Sequence, residues 1–137
     1  MGAGTKAGTL LEIIVVVVIV GVAALIFSAA GLHKQIEKQR GLEAMNNLQL
    51  IYNAEKRHLL DKGDYFSCEG CTSRELTAAL GILVSPNYFT YSISTYSSKG
   101  GKGFEAVAVR TSGICAGKQM SVNQSSSQVI KECEAWK

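Results

Sequence analysis

Three patterns of apolar and polar residues follow one another along the chain. From Ile13 to Leu32 no residue is charged, and a helix of that length, at about 1.5 Å per residue, spans roughly 30 Å, the thickness of a bilayer's hydrocarbon core. The run passes without Pro into HKQIEKQRGLEAMNNLQLIYNAEKRHLLDKG. There Leu32, Ile36, Leu42, Met45, Leu48, Tyr52 and Leu59 recur mostly three or four apart among Lys, Glu, Gln and Arg, the spacing of a one-sided amphipathic helix. Together these patterns predict a continuous helix from about Leu10 to Leu60, roughly 75 Å long, stopped by Gly63 and Asp64. Gly21, Gly31 and Gly41 fall inside it, each disfavouring helix by about 1 kcal/mol relative to Ala; they either admit a close neighbour or bend, or are simply tolerated.

The third pattern begins after a loop, Gly63 to Thr72. Thr72-Ser73-Arg74-Glu75 has the spacing of a capping box and opens a short helix through Leu80, closed by Gly81. Beyond Ser85-Pro86-Asn87 the period changes to two: Phe89, Tyr91 and Ile93 alternate with Thr and Ser, predicting a half-buried strand over 88–96. Lys99 to Gly103 is a turn and Phe104 to Arg110 a second strand, so the two form a hairpin. Met120 and Val122 mark a third strand around 118–124. The closing QVIKECEAWK is either a short edge strand or a tie-down held by Cys133 and Trp136. The fold class is therefore α+β: a long N-terminal helix, hydrophobic then amphipathic, packed on a C-terminal three- to four-stranded antiparallel sheet.

Glu12 breaks the first pattern. It sits just inside the edge of the apolar run, and an ionised side chain in a membrane segment costs on the order of 2.5–3.5 kcal/mol at mid-depth and less near the headgroups. A plain anchor gains nothing from it. At headgroup depth it would merely suit the helix dipole; inside an apolar environment it needs a cationic partner on another molecule.

Composition adds limits. The 137 residues suit one small domain beyond the apolar segment. A net charge of +3 without a basic run gives no indication of nucleic-acid binding. Lys6 before the apolar run favours a cytoplasmic N-terminus, while Lys34, Lys38 and Arg40 after it argue the other way. An ordinary secretory signal has a 7–15-residue apolar core followed by a cleavage site; this run is longer and continues as helix, so it is expected to remain as an anchor.

The string Ala7-Gly8-Thr9-Leu10-Leu11-Glu12, with Gly21 beyond it, resembles the class III signal of type IV pilins and type II secretion pseudopilins. In that family a prepilin peptidase removes a short basic leader after a small residue, normally Gly; the new N-terminal residue is methylated and a Glu stands four residues after it. Thr9 and Glu12 match if the cut falls between Ala7 and Gly8, which makes 1–7 the leader, 8–32 the transmembrane and filament-core half of the helix, and 33–137 the amphipathic helix and globular head. Ala7 replaces the usual Gly, Gly8 the usual aromatic or Met, and Ala29 stands where many pilins bend at Pro; a cut after Gly8 would restore the Gly but leave Glu12 three residues from the new end. The resemblance covers roughly residues 6–32, and the helix-then-sheet layout agrees with it. It implies a homo-oligomeric helical filament, with the α-amine of Gly8 methylated and Glu12 pinning register by neutralising such an amine on a neighbour. It also implies a precursor in the bacterial inner membrane, prepilin peptidase and an inner-membrane assembly machinery as partners, and a surface filament as product. The nearest alternative is a type II secretion pseudopilin; two potential disulfides and the lack of an acidic, calcium-like cluster near the C-terminus lean toward the pilus.

Four cysteines remain: Cys68, Cys71, Cys115 and Cys133. Cys68-Glu69-Gly70-Cys71 is a CxxC, but no βαβ unit precedes it as thioredoxin-like chemistry requires. Zinc lacks a second close ligand pair, and Thr72 stands where haem attachment needs His. Outside the cytoplasmic membrane, disulfides are the default. Four cysteines allow three pairings; Cys68–Cys71 with Cys115–Cys133 is favoured, the second matching the C-terminal disulfide loop of many pilins. His33 and His58 lie on the helix without ligands at metal spacing, and no nucleophilic triad or phosphate loop is present. No catalytic residue, cofactor or metal is expected, and the protein reads as structural rather than enzymatic. The alternative of another class is a membrane-tethered CxxC redox or metal-binding domain.

Overall fold

The computed structural model describes the backbone of residues 2–137 and the side chains of residues 9–27 and 31–137. The expected leader junction at Ala7 and Gly8, and Ala29, lie outside the residues whose side chains are described. The elements run α1 (Gly2–Lys62), α2 (Ser73–Leu80), β1 (Phe89–Ser98), β2 (Gly101–Arg110), β3 (Gln119–Asn123), β4 (Ser126–Lys131) and a 3₁₀ turn over Glu134–Trp136. The chain forms two compact units, Met1–Ile36 and Glu37–Lys137.

In the first unit the described residues from Thr9 to Phe27 are exposed, with only Ala23 half-buried. Leu10 is 62% and Phe27 78% exposed. A helix apolar on every side needs lipid or other helices around it, and α1 is long and apolar enough to cross a membrane.

The second unit has an antiparallel four-stranded meander, ordered β1-β2-β3-β4. Phe89 pairs Arg110 and Ile93 pairs Ala106 across β1 and β2; Ala108 pairs Met120, and Ser121 pairs Ile130. Strand residues alternate between faces. One face therefore buries Phe89, Tyr91, Ile93, Phe104, Ala106, Ala108, Met120, Val122 and Val129, in one core with Ala44, Leu48, Ile51 and Ala54 of α1. The period-two reading of β1 is thus seen directly, and β2 is the expected second strand of the hairpin. The first hairpin turns more tightly than the expected Lys99–Gly103, because β2 already begins at Gly101. The closing segment is both of the expected things, an edge strand and then a tie-down.

The face that α1 buries in this unit differs from the expected stripe. Glu37, Gly41, Ala44, Leu48, Ile51, Ala54 and Glu55 are the buried positions, whereas Leu42 is 45% exposed and Met45 and Tyr52 are only half-buried. The spacing is still that of one helix face. Its members include two acids and a glycine, residues that a hydrophobic pattern passes over.

At the other end of the core, α2 begins with the capping box the sequence predicts. Thr72 Oγ1 accepts from the Glu75 amide at 3.2 Å, and the Glu75 carboxylate accepts from the Thr72 amide at 2.7 Å. Gly81, in the left-handed region, closes the helix on the Thr77 carbonyl. Leu76 and Leu80 are its buried residues.

Candidate functional site

Three groups of residues carry chemistry worth separating. The first is Glu12, exposed on α1 among Leu10, Leu11, Ile13 and Ile14, which are all more than half exposed. It is the sole charged residue between Thr9 and Leu32.

The second group is an ionic cluster inside the Glu37–Lys137 unit. Arg110, from the end of β2, donates Nε to Glu37 Oε1 at 2.9 Å and Nη2 to Oε2 at 3.2 Å. Its Nη1 donates to the Tyr88 carbonyl at 2.9 Å. Trp136 Nε1 adds a further bond to Glu37 Oε1 at 3.2 Å. The side chains of Arg110 and Glu37 are 0% and 4% exposed. Burial works to raise the Glu37 carboxyl, but the hydrogen bonds from Arg110 and Trp136 and the charges of Arg110 and Arg40 outweigh it, so it lies below the ordinary carboxylate value. A buried pair of this kind holds because each partner's polar atoms are satisfied.

The surroundings are shaped for it. Gly113, at φ +86°, brings backbone close enough that a β-carbon there would stand 3.2 Å from Arg110 Nη2 and 3.3 Å from Glu37 Oε2. The guanidinium also lies 5.5 Å from the Phe89 ring and 5.7 Å from that of Tyr88, and Phe89 in turn tilts against Trp136. Its contacts fasten the 3₁₀ turn at Trp136 and the end of β2 to α1.

The third group is the cysteines. Disulfides join Cys68 to Cys71 and Cys115 to Cys133, with Cα separations of 5.4 and 5.9 Å. The first closes a tight loop bonded to β1: Cys68 and Ile93 exchange amide bonds at 3.0 and 2.8 Å, and the Cys71 amide donates to the Tyr91 carbonyl at 2.7 Å. Cys71 and Cys115 are buried. The second disulfide ties the segment after β2 to the residue preceding the 3₁₀ turn, beside the ionic cluster.

Neither histidine gathers ligands. His33 is exposed; His58 Nδ1 lies 2.7 Å from the Asp64 carbonyl oxygen. Among the described residues no group of three or more His, Cys, Asp or Glu is placed to hold a metal. Tyr91, buried and accepting a 2.9 Å bond from Asn47 Nδ2, has its phenol pushed up chiefly by burial.

Sequence reasoning passed over Glu37, Arg110 and Glu55. A signal was present: on the α1 face set by Ala44, Leu48 and Ile51, counting back and forward by three or four reaches Glu37 and Glu55. An acid on a core face calls for a partner. A scan against protein-family models finds no match, and searches of curated proteins and of solved structures find no similar protein.

Proposed function

We propose that this chain is a structural subunit of a type IV pilus-like filament, assembled by packing of its apolar helix. The observation that carries the reading is Glu12, a lone acid at the start of a helix whose apolar residues are exposed on every side. In lipid, or in a bundle of like helices, that acid needs a cation. A leader cut between Ala7 and Gly8 creates one, the α-amine of Gly8, near the corresponding end of each neighbouring helix. Pairing Glu12 with it sets the register of adjacent subunits, since an unpaired charge in a low-dielectric bundle is penalised by several kcal/mol.

The head supports the same reading. Between Glu43 and Glu55 the helix has no charged residue; its exposed positions there are Asn46, Gln49, Leu50 and Asn53, an uncharged strip on which a neighbouring subunit can pack. The sheet, closed by two disulfides, suits an oxidising exterior. In this proposal the precursor resides in the inner membrane and the product is a surface filament.

The test is intact mass and N-terminal sequence of protein sheared from cell surfaces. A filament-borne chain beginning at methylated Gly8 supports the proposal. A chain that still begins at Met1 and stays in the membrane overturns it.

A further inference from the structure

Glu55 is an acid that the filament reading leaves without a task. It is fully buried in the core face of α1. Its Oε2 accepts a 2.9 Å hydrogen bond from the Phe66 amide, and its Oε1 is buried with no hydrogen-bond partner. A buried oxygen left unpaired is destabilising, and more so when it carries charge. Burial therefore favours the neutral carboxyl and pushes it up to about 7, against the opposing pull of the Phe66 amide and the His58 charge.

The hydrogen bond reaches from the helix to the loop between α1 and α2. That loop is also held by His58 at the Asp64 carbonyl and by Lys102 of β2, which pairs Asp64 at 3.0 Å and donates to the Gly63 carbonyl at 2.8 Å. The titratable and charged groups on the surrounding elements include Tyr52, Lys56, Arg57 and His58 on α1, Asp64, Tyr65 and Glu69 on the loop, Lys102 on β2, and Arg74 and Glu75 on α2. Lys56 is engaged with the Gln124 carbonyl at 2.8 Å, Lys102 with Asp64, and Glu75 with Thr72. Of all these, His58 alone acts appreciably on the Glu55 charge.

We propose that Glu55 is a proton-operated clasp on the α1–α2 loop: neutral, it stays buried beneath the segment around Phe66; ionised, its unpartnered buried oxygen must take up water, and that hydration opens the segment although the Phe66 amide bonds the carboxylate more strongly. Release has a consequence for the surface. Ser67, Cys68 and Glu69 form the wall shared by two clefts, one completed by Ser92, Ser94 and Val107 and the other by Glu75, Ala78 and Ala79. Both clefts change shape when the loop moves, so the face around the Cys68–Cys71 disulfide is sensitive to pH near neutrality. The inference stands independently of filament assembly.

The experiment follows amide exchange and the Glu55 carboxyl carbon by NMR in the full chain in detergent micelles, wild type against Glu55→Gln. The wild type should lose about tenfold or more of its Phe66 protection between pH 6 and 8, after correction for intrinsic exchange, while Glu55→Gln changes by less than about twofold. Equal protection in the two proteins across that range overturns the clasp. The carboxyl titration in the wild type alone decides the matter even where the variant fails to fold. A midpoint near 7 that moves together with the Phe66 amide shift supports the proposal, and a midpoint in the ordinary carboxylate range overturns it.

Discussion

The indole of Trp136 fills the space that a side chain on Gly41 would need: a β-carbon there would stand 2.8 Å from the indole Cγ. In an open helix, replacing Gly by Ala gains about 1 kcal/mol. Here Gly41→Ala must displace the ring that also hydrogen-bonds Glu37, and overpacking of that kind costs about 1–3 kcal/mol. The variant is expected to be less stable despite its better helix former. Urea unfolding followed by the fluorescence of Trp136, the one tryptophan in the chain, measures it directly.

Glu37 and Arg110 depend on each other. Truncating either alone leaves a buried charge unpaired, so Glu37→Ala or Arg110→Ala should lose about 3–5 kcal/mol, while a paired replacement such as Glu37→Leu with Arg110→Met should lose markedly less. A double-mutant cycle on unfolding free energies gives the coupling; additive losses would count against it.

The same pair sets a response to acid. The Glu37 carboxyl is held below its ordinary value of 4.5 in the folded protein, so the unfolded chain binds the proton first. Its contribution is complete above that value and is lost as pH falls through the folded midpoint. Glu55 has the opposite sign. Its folded midpoint, about 7, lies above the unfolded value, so its contribution is present in acid and fades as pH rises from about 4.5 toward 7. Stability–pH profiles of Glu37→Gln and Glu55→Gln should therefore flatten on opposite limbs, the first below pH 4.5 and the second between 4.5 and 7.

The disulfides should contribute unequally. Cys115 and Cys133 are separated by 18 positions and Cys68 and Cys71 by 3, which by the chain-entropy estimate corresponds to about 3 and about 1.5 kcal/mol. Serine pairs at each bridge, compared by thermal unfolding under oxidising conditions, test the order. A larger loss at Cys68–Cys71 would point to a role for that loop in packing beyond chain closure.

Glu12→Ala removes the acid that the proposed register depends on and leaves the apolar run longer. Membrane levels of the chain should be unchanged, while sheared surface filaments fall by tenfold or more, about 1.4 kcal/mol per decade of any affected equilibrium. Normal filament yield in the variant would remove the register argument.

Much of the head was legible because its signals are local. The capping box at Thr72 and Glu75 lies within one turn, and the alternation of Phe89, Tyr91 and Ile93 needs only a pleat. The buried face of α1 was not legible in the same way. Leu42 looks like a core residue in a list of apolar positions but is 45% exposed. Gly41 is legible as a place where a close neighbour could fit, but that the neighbour is Trp136 is not. Arg110 sits in a strand that sequence does predict, but its partner lies 73 positions away, and no periodicity reports a pairing at that distance. Glu12 was legible as an anomaly for the opposite reason: it opens a run, Ile13 to Leu32, that carries no other charge.

The ionic cluster also imposes an order on events as the chain is made. Glu37 leaves the ribosome 73 residues before Arg110 and 99 before Trp136. Until Arg110 arrives, the helix has an acid on its inner face with no counter-ion. A nascent chain that stops before Arg110 has Glu37 without its counter-ion, and one that stops between Arg110 and Trp136 has the ion pair but lacks the indole bond that Glu37 also accepts.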